Sequence, residues 1–134
     1  MKIKFVAGFG PIVRDLEASG RFYREVLGLP LPEGQYISTD ELEGVKHFGL
    51  WRIEDAAQSC FGTEQWPADL PIPNGGMEFD VETEEAVAEA ALELQAKGVR
   101  ILVGPRKEPW GQTVLRFVSP EGLLLGITYT PWMH

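Results

Sequence analysis

Two carboxylates, Glu78 and Asp80, alternate within the apolar segment 76–81. In a strand, alternate side chains point to opposite faces, so both carboxylates should lie on the face of Gly76 while the apolar residues pack beneath helices. If that face borders a ligand cavity, the two carboxylates would favour a cationic or hydrogen-bond-donating ligand, and one could serve as a general base. The alternative is that they lie at a rim or pair with a strand neighbour such as Arg116, which we include among the candidate ligand-binding residues.

Tryptophan offers a second chemistry, because its flat ring can stack on a conjugated ligand at small entropic cost. Trp51 and His47 alternate with apolar residues in segment 47–51 and are expected to share the cavity face of a strand. Trp110 lies at a loop or strand entrance, and Trp66 lies in a proline-rich segment. We predict that Trp51 and Trp110 contact a ligand. Packing in the core or at a dimer interface is the alternative for each tryptophan, and it is favoured for Trp66.

The nucleophilic and basic side chains do not form a recognisable catalytic set. His47 is the one internal histidine, since His134 ends the sequence, and a lone histidine is more often a hydrogen-bonded structural residue than a catalyst. Cys60 is the single cysteine and is expected to be a small buried side chain. No glycine-rich loop of the phosphate-binding type is present. The catalytic residues therefore stay unassigned.

Two amphipathic helices are predicted. The first begins near Asp15, whose carboxylate can cap free backbone amides, and ends at Gly28. The second begins near Thr83, with acidic residues at its amino end, and ends at Gly98. The residues expected on the buried faces are Leu16, Ser19, Tyr23, Val26 and Leu27 in the first helix, and Val87, Ala91 and Leu94 in the second.

Strand-like segments surround both helices. One apolar segment precedes each helix, the first of them opening the sequence and the second starting at Gly76. The segments that follow are 35–39, 45–52 and 57–61 after the first helix, and 100–103, 112–118 and 123–129 after the second. The order β-α-β-β-β therefore occurs twice, which predicts the α+β class.

Size and composition favour one domain. A chain of 134 residues with 44% hydrophobic residues can bury one core, whereas two independent halves would each be marginal. We expect a single domain, residues 1–134, with module one at 1–62, a linker at 63–75 and module two at 76–134. The linker is rich in proline, which disrupts strand pairing.

Charge and cysteine content limit the partners. A net charge of −8 with scattered basic residues argues against nucleic-acid binding, and no apolar run is long enough to cross a bilayer. A single cysteine forms no internal disulfide, so nothing requires an oxidising compartment. We expect a cytoplasmic protein that binds neither nucleic acid nor membrane.

Three short runs resemble the vicinal oxygen chelate superfamily, which includes glyoxalase I, extradiol dioxygenases and bleomycin-resistance proteins. They are Val13-Arg14-Asp15-Leu16-Glu17-Ala18-Ser19, Phe22-Tyr23-Arg24-Glu25-Val26-Leu27-Gly28-Leu29 and Ser119-Pro120-Glu121-Gly122. The resemblance covers essentially the whole chain. It implies two pseudo-symmetric β-α-β-β-β modules that form a curled sheet around a cavity, and a homodimer in which a second chain completes or covers the site.

The resemblance also implies four metal-ligand positions. Metalloenzymes of the superfamily place a histidine near the start of the first strand of each module and a carboxylate on a late strand of each. Three of these positions fall on Gly8, Gly76 and Gly126, and the fourth is expected within 58–62. Because glycine has no ligating side chain, we predict no metal and no cofactor, and a hollow enlarged for a bulky molecule. For any one of these glycines, a strand bend or bulge is the alternative.

Two functional hypotheses follow. The first is a metal-free protein that sequesters a bulky aromatic or cationic small molecule, as in the antibiotic-resistance branch of the superfamily. Its candidate ligand-binding residues are His47, Trp51, Glu78, Asp80, Trp110 and Arg116. The second is a glyoxalase-like lyase or dioxygenase-type enzyme with a metal-free or non-standard site. Either it is metal-free, with Glu78 or His47 as general acid or base, or it holds a metal through ligands other than those assigned above. The sequence leaves open whether the protein is an enzyme, because one scaffold carries both activities.

Overall fold

A computed structural model describes all of residues 1–134. It contains seven strands, three α-helices and two short turns of other helical types. The strands are β1 (Phe5–Val13), β2 (Ile37–Thr39), β3 (Phe48–Arg52), β4 (Gly75–Asp80), β5 (Ile101–Lys107), β6 (Thr113–Val118) and β7 (Leu124–Tyr129). The α-helices are α1 (Leu16–Arg21), α2 (Ile53–Phe61) and α3 (Glu84–Ala96), and the short turns are a π-helical turn (Phe22–Val26) and a 3₁₀ turn (Pro131–Met133).

All seven strands form one open sheet in the order β2-β3-β1-β4-β7-β6-β5. The antiparallel pair β1–β4 lies near the middle, and each of its strands pairs in parallel with a later strand, β1 with β3 and β4 with β7. The remaining pairs are antiparallel. This mixed sheet, flanked by helices, confirms the predicted α+β class. None of the helices combines the length and the hydropathy needed to span a bilayer.

The hydrophobic core is divided among the three helices. The largest cluster joins α3 to β6 and β7 through Val87, Leu94, Leu115 and Ile127. A second cluster lies beneath α1 and includes Ile37, Phe48 and Leu50, while a third joins α2 to β1 and β7 through Ile12, Ala56 and Leu124. The helices thus support the sheet.

The predicted ends of α1 and α3 are confirmed. The Asp15 carboxylate accepts a hydrogen bond from the Ala18 amide at 3.0 Å, and the Thr83 hydroxyl accepts one from the Ala86 amide at 3.1 Å. Such side-chain acceptors satisfy amides that have no partner in the first helical turn. Gly28 and Gly98 follow the helical segments with φ of 73° and 83°, a region that glycine enters without a side-chain clash. Val87, Ala91 and Leu94 are buried as expected.

The prediction of a strand at 57–61 is wrong, because this segment belongs to α2. Its buried Ala56, Ala57 and Cys60 recur at helical spacing, and Gly62 ends the helix with φ of 73°. Acidic residues in the first turn of α2 interact favourably with the positive end of the helix dipole. Module one therefore has one strand fewer than module two, and the predicted linker 63–75 begins just after α2.

The buried face predicted for the first helix is only partly correct. Leu16 and Tyr23 pack on the core, but Val26 and Leu27 are 69% and 54% exposed. The cause is the π-helical turn, in which the Leu27 amide donates to the Phe22 carbonyl at 3.1 Å. A bond spanning five residues underwinds the helix, so later side chains rotate off the face that α-helical spacing predicts.

Candidate functional site

A cavity of about 480 Å³ lies against the central strands of the sheet. Its floor is formed by β1, β3 and β4, and its walls come from β6, from the loop before β6 and from the C-terminal turn. The lining includes Gly8, Phe9, Gly10, Tyr36, Asp40, His47, Gly49, Trp51, Asp55, Gly76, Met77, Glu78, Trp110, Gln112, Arg116, Thr130, Trp132 and Met133. The structure thus gathers five of the six predicted ligand-binding residues, and the exception is Asp80.

Glu78 and Arg116 form an ion pair across a glycine. In the sheet register Gly8 is opposite Glu78, Glu78 is beside Gly126, and Gly126 is opposite Arg116. Arg116 Nη1 donates to Glu78 Oε2 at 3.0 Å. A Cβ atom at Gly126 would lie 3.4 Å from Glu78 Cγ and 3.5 Å from Arg116 Nη1. Because Gly126 has no side chain, Glu78 and Arg116 can meet above it.

The sequence left open whether Glu78 faces the cavity or pairs with Arg116, and in the structure it does both. Its side chain is 24% exposed, whereas that of Arg116 is 3% exposed. Gln112 Nε2 donates to Glu78 Oε1 at 3.2 Å and to the Thr130 hydroxyl at 2.8 Å, while Gln112 Oε1 accepts from Trp110 Nε1 at 3.0 Å. The carboxylate is held in place by two donors.

Arg116 is supported from behind the cavity wall. Its Nε donates to the Ser59 hydroxyl at 3.2 Å, and this hydroxyl donates to Glu108 Oε1 at 3.0 Å. Arg106 Nη2 reaches the same Glu108 oxygen at 3.2 Å. The guanidinium of Arg116 also lies over the Trp51 ring, 4.7 Å from its centroid, a cation–π geometry. Trp51 and the ion pair therefore form one rigid wall.

His47 faces Glu78 from the other side of Gly8. A Cβ atom at Gly8 would lie 3.3 Å from Glu78 Oε1 and 3.9 Å from His47 Cδ2, so both groups border the space above this glycine. His47 Nδ1 lies 2.6 Å from Asp40 Oδ1 at the exposed rim. A partner carboxylate on Nδ1 orients the ring and favours the tautomer that leaves Nε2 as an acceptor.

Aromatic rings surround the mouth of the cavity. Trp51 and Trp110 line it, as does Trp132, which the sequence analysis missed. Trp132 lies in the 3₁₀ turn after the last strand, where strand alternation gives no information about facing. Trp66 lies outside the cavity, packed edge-on against Phe61 with Nε1 donating to the Pro71 carbonyl. Trp66 therefore has the structural role that was favoured for it.

Asp80 does not face the hollow. Its side chain is fully buried and accepts hydrogen bonds from the Thr128 hydroxyl at 2.5 Å and from the Thr130 amide and hydroxyl at 2.9 and 2.8 Å. His134 Nε2 lies 2.7 Å from Asp80 Oδ2. The expectation that Asp80 shares the cavity with Glu78 is therefore wrong. The C-terminal residues fold over this end of β4 and cover the carboxylate.

Cys60 is buried on α2, as expected. Burial raises the pKa of its thiol to about 11, because an apolar environment disfavours the thiolate. The raised pKa makes Cys60 a poor nucleophile near neutral pH.

The donor side chains do not fit a metal ion. Nowhere do three or more His, Cys, Asp or Glu residues converge as a ligand set. The carboxylates at the cavity are separately paired with basic side chains, and divalent cations require several converging oxygen or nitrogen donors.

A family model identifies the fold. Residues 8–127 match the model of the Glyoxalase/Bleomycin resistance protein/Dioxygenase superfamily. The chain belongs to this superfamily. No curated protein sequence matches it.

Solved structures of the same fold are distant in sequence. An NAD-dependent benzaldehyde dehydrogenase from Legionella pneumophila is 19% identical with a TM-score of 0.62, covering 91% of this chain and 96% of that chain. A superfamily member from Vibrio splendidus is 16% identical with a TM-score of 0.58, covering 96% and 100%. A methylmalonyl-CoA epimerase from Streptomyces coelicolor is 16% identical with a TM-score of 0.56, covering 97% and 99%. At these identities the similarity concerns the fold alone.

The pairing of β1 with β4 relates the two modules of this superfamily member. Gly8 is opposite Glu78, and Gly10 is opposite Gly76. Exchanging the two antiparallel strands about the Phe9–Met77 pair superposes Gly8 on Gly76, as the resemblance implies, and Gly10 on Glu78. The two positions that the resemblance assigned to histidine ligands are structurally equivalent, and both are glycine.

The same exchange locates the fourth ligand position. Glu78 is beside Gly126 on β7, and its equivalent Gly10 is beside Gly49 on β3, because the β1–β3 register pairs Phe9 with Phe48. Gly49 is therefore the counterpart of Gly126, and the expectation that this position lies within 58–62 is wrong. Segment 58–62 lies in α2 and at its end, so it holds no strand that could carry this position. All four positions carry glycine.

Proposed function

We propose that this protein is a metal-free binding protein that sequesters a bulky aromatic small molecule. The observation that carries the proposal is a cavity of about 480 Å³ that is lined by tryptophan and by Gly8, Gly49 and Gly76, three of the four positions at which the resemblance implies metal ligands. Glycine floors let a ligand approach the backbone closely, and the cavity volume is within the usual range for small-molecule sites.

The aromatic lining supports a planar guest. Trp51 is held by the buried Arg116 and Trp110 by a hydrogen bond to Gln112, so neither ring must be ordered by the guest. Pre-ordered walls reduce the entropic cost of binding, and large aromatic surfaces contribute much of the binding energy at such sites.

A second candidate is an acid–base enzyme without a metal. It is favoured by the position of Glu78 and the His47–Asp40 pair on opposite sides of the space above Gly8. Two proton-accepting groups flanking one substrate atom suit removal and return of a proton. A methylmalonyl-CoA epimerase is among the structures of this fold. Turnover distinguishes this candidate from simple sequestration.

We also propose a homodimer that covers the mouth of the cavity. Phe9, Tyr36, Trp110 and Trp132 line the cavity and are 47%, 83%, 53% and 56% exposed. Exposed apolar groups clustered at one opening are typical of a surface that another chain covers. Analytical ultracentrifugation should give twice the monomer mass, and a monomer at micromolar concentration would contradict this proposal.

Fluorescence titration tests sequestration. Planar polycyclic compounds should quench tryptophan emission saturably, with affinity weakened at least about tenfold by Trp51→Ala and by Trp110→Ala, because each change removes stacking area. Trp66→Phe is the matched control, since Trp66 lies outside the cavity, and it should leave affinity unchanged. Equal binding by all variants would refute the proposed site.

Metal uptake and turnover test the alternatives. After dialysis against Ni²⁺, Zn²⁺, Mn²⁺ or Fe²⁺, the protein should retain less than one ion per chain, because no ligand set converges. A bound guest recovered after prolonged incubation should be chemically unchanged. Stoichiometric metal, or conversion that Glu78→Gln abolishes, would favour the enzyme instead.

A further inference from the structure

We infer that the guest is an uncharged planar molecule, which narrows the proposed function and rests on it. The reason is that every carboxylate lining the cavity already has a basic partner. Asp40 Oδ1 lies 2.6 Å from His47 Nδ1. Asp55 accepts two hydrogen bonds from Arg52, and Glu78 accepts one from Arg116. The protein carries a net charge of −8, yet Asp55 and Glu78 are each neutralised by a guanidinium, and Asp40, whose partner is the imidazole of His47, is 65% exposed to solvent at the rim.

The innermost pair belongs to a larger balanced network. Behind Arg116, Glu108 is 3% exposed and accepts from Ser59 and Arg106, while Arg116 Nη2 lies 3.9 Å from the same Glu108 oxygen. Two carboxylates, Glu78 and Glu108, are thus matched by two guanidinium groups. A charged guest would have to leave water without gaining an unpaired opposite charge.

The Glu78–Arg116 pair removes the preference for a cation that an isolated carboxylate would create. A cation placed beside Glu78 would also lie close to Arg116, whose Nη1 is 3.0 Å from the carboxylate. Because attraction and repulsion act over nearly the same distance, they largely cancel. An uncharged ring avoids the desolvation cost and keeps the stacking contact with Trp51, whose ring lies against the guanidinium.

A set of probes that share one ring system tests the inference. The probes are 1-pyrenemethanol, 1-pyrenecarboxylate and 1-pyrenemethylammonium, which differ in charge but present the same aromatic surface. Energy transfer from tryptophan to pyrene reports binding of each. We expect the wild-type protein to bind the alcohol at least about tenfold more tightly than either ion.

Variants separate the charge balance from general electrostatics. Glu78→Gln leaves Arg116 without its cavity partner, so the affinity for the carboxylate probe should rise at least about fivefold relative to the alcohol. Arg116→Gln should raise the relative affinity for the ammonium probe, and the double variant should restore the preference for the alcohol. Glu89→Gln and Lys97→Gln are matched controls, because they change charge on exposed parts of α3 and its end, away from the cavity.

The outcomes distinguish this inference from the proposed function. Tighter binding of either ion than of the alcohol by the wild-type protein overturns the inference and leaves sequestration intact. Unchanged charge preference in Glu78→Gln also overturns it, and this variant remains informative if Arg116→Gln fails to fold. Failure of all three probes to bind overturns both the inference and the proposed aromatic-binding function.

Discussion

Replacing Asp80 by alanine should be among the most damaging single changes to the stability of this protein. Asp80 is fully buried and receives four polar contacts, from the Thr128 hydroxyl, the Thr130 amide and hydroxyl, and His134. Alanine removes the acceptor that these groups share. The backbone amide of Thr130 is the most costly of them, because it cannot rotate to another partner.

The magnitude follows from the number and kind of these contacts. A hydrogen bond to a charged group contributes about 1.5–3 kcal/mol, but contributions from one network are not additive. Breaking a buried charged network by removing one member typically costs about 3–5 kcal/mol. We therefore expect Asp80→Ala to lower the free energy of unfolding by about 4 kcal/mol, and Asp80→Asn, which keeps the shape and some contacts, by about 2 kcal/mol. His134→Ala should cost about 1 kcal/mol, since it removes one contact at the end of the sequence.

Urea denaturation followed by circular dichroism measures these differences. Asp69→Ala is the matched control, because Asp69 is exposed, and it should change stability by less than about 0.5 kcal/mol. In the Asp80→Ala background, His134→Ala should have almost no further effect, since its partner is already absent. A loss below about 1 kcal/mol for Asp80→Ala, or additive losses in the double variant, would refute the structural role assigned to this carboxylate.

Three further predictions test other parts of the structure. Gly10→Ala should destabilise the protein by about 3 kcal/mol or more, because the added Cβ would lie 1.7 Å from the Gly49 carbonyl oxygen on the adjacent strand. At Gly8 the nearest neighbour of an added Cβ is a side-chain oxygen at 3.3 Å, so Gly8→Ala should cost less than half as much in the same urea titration. Thr83→Ala should lower the free energy of unfolding by about 1 kcal/mol through loss of the α3 cap, and Thr83→Ser should restore it. Burial raises the pKa of Cys60 from 9.0 to about 11, so the unfolded chain loses the thiol proton at a lower pH than the folded protein does. The free energy of unfolding should therefore fall between pH 9 and pH 11 by about 2–3 kcal/mol more in the wild type than in Cys60→Ala. Parallel curves of stability against pH for the two proteins would contradict this assignment.

The predicted features that were confirmed are those encoded by residues close together in the chain. The starts of α1 and α3 depend on Asp15 and Thr83, whose side chains bond amides three residues later. Their ends depend on glycines that adopt positive φ. These signals are local, so the sequence shows them directly. The helix α2 was locally encoded too, but its alanines and cysteine form a short apolar run that also suits a strand.

The sequence by itself determined the α+β class, the superfamily and the glycines at three of the four ligand positions that the resemblance implies, because these depend on local periodicity and on short motifs. Only the tertiary structure decided that Glu78 is neutralised by Arg116, that Asp80 is a buried anchor for the C-terminal residues, and that Trp132 joins the cavity wall. These partners lie far apart in sequence, 38 residues for Glu78 and Arg116 and 54 for Asp80 and His134. Strand alternation predicts the face on which a side chain lies, but the neighbour that it meets there depends on sheet order and register, which local spacing does not encode.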